Sequence, residues 1–366
     1  MADPLDLSLS EIVFTRASSV VPANVRWLWR WWVPLGMLSL LLGLPGRGKT
    51  TVAEQVAADV TWGRLDGSLK GRPSNVLIVS YEDAIAETLV PRLIAAEADL
   101  ARIEFVACKD VGQVLDLTRH LSEIERRAAE REVKLIVVDP LVAGLPRQDV
   151  NTHREGDVRS VLAPLAAMSE SQDLSVLSTM HFSKSAVSAL LGAGGSIGFV
   201  GAARSILVFG TDPRDDQGAT GPKRVLAHAK CNVGRLQRSR EVALMEFVID
   251  PFGKNIVTSR VELGEQCDVS ADDLVRDTSE QKISPRMAAR KFLRELLADG
   301  PHRASEVVEL AEDDDISERT LRRAKNDLGV DSFQRKTDDG KPEWWWVLPD
   351  EDEPPSEPQV GAGEDE

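Results

Sequence analysis

Gly43-Leu-Pro-Gly-Arg-Gly48-Lys49-Thr50 has the spacing G-x-x-x-x-G-K-[ST]. It follows an apolar run, Leu38-Ser-Leu-Leu-Leu42, and precedes a helical pattern beginning Thr51-Val-Ala-Glu-Gln. In that context glycines let backbone N–H groups turn inward around phosphate oxygens, and the following helix N-terminus adds positive potential. We therefore expect Gly43, Pro45, Gly46, Arg47, Gly48, Lys49, Thr50 and Thr51 to cradle the phosphates of ATP. Lys49 is expected to reach the β- and γ-phosphates, and the Thr50 hydroxyl to ligate Mg²⁺. Lys134-Leu-Ile-Val-Val-Asp139 is a buried-strand pattern ending in an acid, which places Asp139 as the second support of the Mg²⁺. Val76-Leu-Ile-Val-Ser80-Tyr-Glu82-Asp83 is another strand, ending in two acids. Either acid could simply start the next helix through its dipole; we read Glu82 as the water-activating base and Asp83 as the cap. His181 ends a further strand. It is either a reporter of the γ-phosphate or an ordinary surface histidine.

These groups need strands to carry them. The pattern predicts strands over Leu38–Leu42, Val76–Ser80, Ile103–Ala107, Leu135–Val138, Ser175–Thr179, Ser205–Phe209, Val225–Ala229 and Val242–Ile249. Helices are predicted over Lys49–Thr61, Ile85–Ala98, Val111–Glu130 and Thr152–Ser171. Alternation of this kind reads as an α/β fold with a mostly parallel central sheet, and the uninterrupted later strands read as antiparallel hairpins at one side. Residues 1–24 read as a lead-in, 25–262 as the α/β domain and 263–284 as a polar, acidic linker. Arg26-Trp27-Leu-Trp29-Arg-Trp31-Trp32 offers aromatic surface for base stacking or, more simply, for packing at the core's edge or a subunit interface.

Taken in order, GLPGRGKT, VSYED, LIVVDPL, MHFSK and GSIGFVGAARSIL resemble the RecA-like ATPases of the RepA type, plasmid and phage relatives of the DnaB hexameric helicases. The resemblance covers roughly residues 25 to 252. Asp139-Pro-Leu, Asn151 and Val158-Arg-Ser-Val-Leu-Ala-Pro-Leu165 are similar to that group's segment after the strand-end acid. The resemblance implies a RecA-like core, ATP hydrolysis at subunit interfaces and a ring, usually of six. It makes Glu82 similar to the catalytic glutamate and His181 to the γ-phosphate sensor. Arg204, in Ala-Ala-Arg-Ser, resembles the arginine finger given to the neighbouring subunit. Lys230 resembles the lysine of a K-x-R pair whose second position is Asn232 here, so Arg204 ranks above it. In ring helicases the segment matching the glycine-rich stretch Ser185 to Gly198 faces the central channel and grips single-stranded DNA.

Past residue 285 a smaller unit begins. Helical patterns over Pro285–Ala298, Ala304–Leu310 and Ile316–Leu328, followed by Ser332–Leu348 with an Asp-Gly turn, resemble a winged helix-turn-helix over 285–349. Arg319, Arg322, Arg323 and Lys325 on the third helix, with Arg335, Lys336 and Lys341 on the hairpin, suit phosphate contacts and groove entry. Lys282 to Pro349 carries 13 bases and 14 acids, so a protein-docking role stays open beside a DNA-binding one.

The 366 residues carry a formal charge of −15. Eight acids and no base lie in residues 350–366, a Pro- and acid-rich tail expected to be disordered, which leaves −7 for the other 349 residues. The acidity thus does not exclude DNA, but confines any contact to a local patch. Three scattered cysteines suggest a reducing cytoplasm, and no stretch is apolar enough for a membrane span. The leading expectation is an ATP-driven DNA motor: a replicative helicase or loader of plasmid, phage or mobile-element type. It would work as a homo-oligomeric ring on single-stranded or forked DNA, beside other replication proteins. The alternative is an ATPase switch of KaiC or RadA kind that remodels protein partners. Phosphoryl transfer to a small molecule ranks third.

Overall fold

The computed structural model describes residues 13–108, 115–146, 154–182, 188–190, 197–215, 221, 223–279, 285–298, 300–314, 316–336 and 342–349. Asn151, most of the 185–198 stretch, Lys341 with the Asp-Gly turn, and the acidic tail lie outside them. The first elements are β1 (Trp27–Trp29), β2 (Val33–Pro34), β3 (Leu38–Gly43), α1 (Lys49–Trp62), β4 (Asn75–Ser80), α2 (Val90–Ala95) and β5 (Ile103–Phe105). Then follow α3 (Leu121–Glu130), β6 (Val133–Asp139), α4 (Glu155–Ser171), β7 (Ser175–His181), α5 (Ile197–Ala202) and β8 (Ser205–Thr211). The α/β part closes with β9 (Lys223–Cys231), β10 (Ser239–Ile249), β11 (Ile256–Cys267) and α6 (Ala271–Ser279).

Among the described residues the main sheet runs β11-β10-β9-β8-β3-β7-β6-β4-β5. The six strands from β8 to β5 are parallel, and β9, β10 and β11 extend the sheet antiparallel. It is thus a mixed sheet in a P-loop NTPase-like α/β core. The parallel strands are continuous apolar runs because helices cover both faces. One layer packs Leu38, Leu40 and Leu42 with Val158, Leu162 and Met168 of α4; the other packs Leu41, Val137 and Leu177 with Val52, Val56 and Val60 of α1. Gly63, in the left-handed region at φ +65°, ends α1, and a Cβ there would meet the Arg72 backbone nitrogen at 2.5 Å.

Several expectations change. The linker expected over 263–284 is structured through Ser279. β11 reaches Cys267, and α6 packs Leu274 and Val275 into the main core against β8 and β9. The helix expected from Ile85 is a wide π-type turn, Ile85–Leu89, leading into the short α2. Of the helix expected from Val111, described residues 115–120 are not helical and α3 starts at Leu121; the Asp116 carboxylate accepts from the Thr118 and Arg119 amides and holds a turn there. Trp27, Trp29 and Trp32 are buried, with Trp29 stacked on Trp32 at 5.1 Å and Trp32 on His228 at 5.5 Å. Of the two roles weighed for this cluster, packing accounts for these three.

The C-terminal residues form α7 (Pro285–Leu297), β12 (His302–Arg303), α8 (Ala304–Asp313), α9 (Glu318–Asp327), β13 (Asp331–Lys336) and β14 (Pro342–Val347). Their three strands pair antiparallel in the order β12-β14-β13. They have a core of their own, in which Leu293, Val307, Leu321 and Trp346 meet. No helix among the described residues is long and apolar enough to cross a membrane.

Candidate nucleotide site

The sheet brings four sequence-predicted groups to one crest. Gly43 pairs with His181 at the carboxyl ends of β3 and β7, and Ser80 pairs with Asp139 at the ends of β4 and β6. Helix α1 starts from the same crest. The loop before it needs its glycines: Gly46 (φ +68°) and Gly48 (φ +96°) are left-handed, and a Cβ at Gly43 would stand 2.2 Å from the Phe209 carbonyl oxygen. Pro45 and Gly46 are exposed, Arg47, Gly48 and Thr50 half-buried, and Thr51 buried.

Lys49 turns back into this loop. Its side chain is only 5% exposed, and Nζ donates to the Leu44 carbonyl oxygen at 2.8 Å and lies 3.1 Å from His181 Nδ1. Burial pulls its pKa down to about 8, against the opposing pull of the Asp139 and Glu82 carboxylates. An ammonium donating to Nδ1 leaves the imidazole proton on Nε2, which faces Glu82 Oε1 at 3.8 Å. Lysine, histidine and glutamate therefore form one line across the crest. Tyr81 turns inward, its phenol oxygen against Gly144, and its backbone amide donates to the Asp139 carbonyl (2.9 Å). That anchors the strand end and leaves Glu82 outward, 61% exposed. A carboxylate so placed can orient a water for attack.

Asp139 is buried and accepts a short hydrogen bond from the Thr179 hydroxyl. Its carboxylate and the Thr50 hydroxyl at the head of α1 are hard oxygen donors of the kind that would suit Mg²⁺. The donor set is small: no group of three or more His, Cys, Asp or Glu suited to a metal occurs among the described residues.

Arg204 and Lys230 are not brought to this crest. The Arg204 amide donates to the Leu38 carbonyl (2.9 Å) at the start of β3, the opposite end of the sheet. At roughly 3.3 Å per residue along β3 that is about 17 Å from the loop. Arg204 is exposed. Lys230 donates to the Ala203 carbonyl (2.9 Å) and, by a short bond, to that of Val200. It thus caps the C-terminal end of α5; burial and then the Arg204 charge lower its pKa. In the C-terminal part Arg319, Arg323, Arg335 and Lys336 are exposed, whereas Arg322 pairs with Glu318 (2.6 Å). Lys325 donates to the Ser332 hydroxyl (2.6 Å) and lies over Trp346.

Two residues that no motif marks sit behind the crest. Glu54, one turn along α1 from Thr50, is 2% exposed and both its carboxyl oxygens lack a hydrogen-bond partner among the described residues. Arg92 of α2 stands beside it. The only sequence signal is an acid amid the Val and Ala residues of α1. Burial drives the Glu54 pKa well above its ordinary 4.5, outweighing the attraction of Arg92, and the nearby Asp83 and Asp139 charges add to the rise. The native state therefore holds a proton that the unfolded chain releases above about pH 4.5, so this group's contribution to stability declines as pH rises. The Tm of the wild type is expected to fall between about pH 5 and 8 more steeply than that of Glu54→Gln, which cannot ionise; parallel slopes would contradict a neutral Glu54.

Sequence comparison agrees with the geometry. A family model described as AAA domain matches residues 2–187, a span that holds Lys49, Thr50, Glu82, Asp139 and His181 and stops short of Arg204 and Lys230. No curated protein matches the chain. The loop, its buried lysine, the strand-end acids and the family match together make this chain a member of the AAA-domain family of P-loop ATPases.

Proposed function

We propose that the chain is a ring-forming, ATP-driven motor on DNA, a replicative helicase or helicase loader of plasmid, phage or mobile-element type. The observation that carries this reading is the separation of its cations. Lys49 lies on the crest with His181 and Glu82, while Arg204 stands exposed at the far end of the sheet. Transition-state charge on a transferring phosphoryl group calls for a further cation beyond the loop lysine. An arginine that its own site cannot use is suited to the site of the next subunit in a ring. In this reading Glu82 orients the attacking water, and Lys49 with the loop amides holds the β- and γ-phosphates. His181 links the γ-phosphate position to Glu82. Thr50 and Asp139 hold Mg²⁺, which when bound neutralises phosphate charge. Lys230, tied to α5, supports the finger's strand rather than serving as the finger. The order of the motifs, similar to RepA-type ATPases, supports DNA as the partner. A ring of six copies would multiply weak local contacts despite the net charge of −15.

The C-terminal helices and hairpin are read as a winged helix, with Arg319, Arg323 and Lys336 as its exposed basic face, beside Arg335, which lies over the Trp345 ring. A second reading, a KaiC- or RadA-like switch that docks protein partners through this unit, is favoured by one observation. Arg322 and Lys325, central to a recognition helix, are engaged within α9 and with β13. Strand displacement on forked DNA separates the two. The motor reading expects ATP-dependent unwinding or loading and ATPase activity raised several-fold by single-stranded DNA. Turnover indifferent to DNA, with no unwinding or loading, would select the switch.

A further inference from the structure

Asp83 follows Glu82 directly, and what holds Asp83 sets where Glu82 stands. Arg92 Nη1 donates to Asp83 Oδ2 at 2.7 Å, and the same nitrogen lies 3.8 Å from Glu54 Oε2. One guanidinium thus joins three elements: α2, the turn after β4 that bears Glu82, and α1, whose first turn bears Lys49 and Thr50. All three side chains are at least two-thirds withdrawn from solvent, Arg92 at 22% exposure, Asp83 at 30% and Glu54 at 2%. The chain between Asp83 and Arg92 takes the wide Ile85–Leu89 turn, where the Leu89 amide reaches the Ala84 carbonyl at 3.1 Å. Widened turns of this kind recur where a helix is adjusted to serve a site. The Asp83 amide also meets the Ser80 hydroxyl (3.3 Å), so the turn is held from both ends.

We infer that Arg92 is a positioning residue for hydrolysis: it fixes the Glu82 turn at a set distance from the phosphate-binding helix, with Glu54 as the buried floor against which the guanidinium rests. The inference rests on the reading of Glu82 as the water-orienting carboxylate. Arg92 touches neither nucleotide nor water in this role. It acts through Asp83, which the sequence alone suggests only as a helix cap. The capping role gives way because Asp83 is engaged by a side chain nine residues on.

The test measures kcat, KM and the Kd of a fluorescent ATP analogue for the full chain and its Arg92→Ala, Arg92→Lys, Asp83→Asn and Glu82→Gln variants. Loss of position without loss of the phosphate cradle predicts that Arg92→Ala lowers kcat by about ten- to a hundredfold while Kd stays within about threefold. Arg92→Lys, which keeps one contact to Asp83, should recover part of that loss. Asp83→Asn should reproduce most of it, and the Arg92→Ala/Asp83→Asn double variant should be no slower than the worse single one. If Arg92→Ala fails to fold, the Lys and Asn variants carry the same readout. A kcat within about twofold of wild type in Arg92→Lys and Asp83→Asn alike, beside an inactive Glu82→Gln, would overturn the inference and leave the Glu82 reading standing. So would losses that multiply in the double variant, or a loss confined to Kd. Full turnover in Glu82→Gln would instead remove the reading on which the inference rests.

Discussion

Lys49→Ala is expected to abolish ATP turnover, with kcat/KM falling by about a thousandfold or more. The magnitude follows from where the ammonium sits. It is 5% exposed and its donors already point into the loop, at Leu44 and His181. A dry, pre-aimed charge stabilises a transferring phosphoryl group far more than a solvated one, because nothing must reorganise as charge develops. The folding cost of keeping it there is visible as the fall of its pKa to about 8. That value gives the experiment a second axis. Bound phosphates favour the ammonium, so above about pH 8 nucleotide binding must take up a proton and weaken as pH rises. Isothermal titration in two buffers of different ionisation enthalpy would detect that proton. Lys49→Ala should lose both the proton uptake and the turnover, whereas wild-type turnover in the variant would refute the site.

Glu82→Gln is the second large expected effect. Removing a positioned base costs typically about 10²–10⁴ in rate, and the amide keeps the shape and much of the polarity of the carboxylate. ATP should still bind, because Glu82 lies across the crest from the loop and is exposed to solvent. The variant should therefore retain bound ATP and, if the chain assembles as proposed, hold it in that assembly. It also provides a partner for Arg204→Ala, which should itself bind ATP and fail to hydrolyse it. Mixed together, the two should regain a fraction of turnover. A subunit with an intact Glu82 and no Arg204 can receive the arginine of a Glu82→Gln neighbour. Mixtures as inactive as their components would count against donation between subunits.

The strand-ending residues of the site were the legible part of the sequence. A parallel strand buried on both faces is a continuous apolar run, so its polar end announces itself, as at Ser80-Tyr81-Glu82 and at Asp139. β11 was not legible for the opposite reason. Ile256–Cys267 is only half-covered and reads Ile-Val-Thr-Ser-Arg-Val-Glu-Leu-Gly-Glu-Gln-Cys, polar enough to pass for a connector. α6 buries just Ala271, Leu274 and Val275 in its described part, too few for a helical period to stand out. Lys230 could be matched to a motif but not to a task, since its partners are backbone carbonyls of α5, which lies at the end of a glycine-rich stretch. Arg92 and Glu54 lie 38 residues apart in the chain and share no motif. Their meeting depends on how α1 and α2 pack, which no local pattern encodes.

Strand β8 has one more consequence. Its seven residues are buried throughout, the Phe209 carbonyl occupies the space a Cβ at Gly43 would need, and Arg204 immediately precedes its first residue. It is a stiff strut about 20 Å long, seated at one end on the phosphate loop and bearing at the other a free cation. Such a part has no slack. Paired with β3 on one side and β9 on the other, it holds the distance between the loop and the arginine fixed. If Arg204 serves a neighbouring site as proposed, the length of this one strand sets how far each subunit's own phosphate loop stands from the cation it offers.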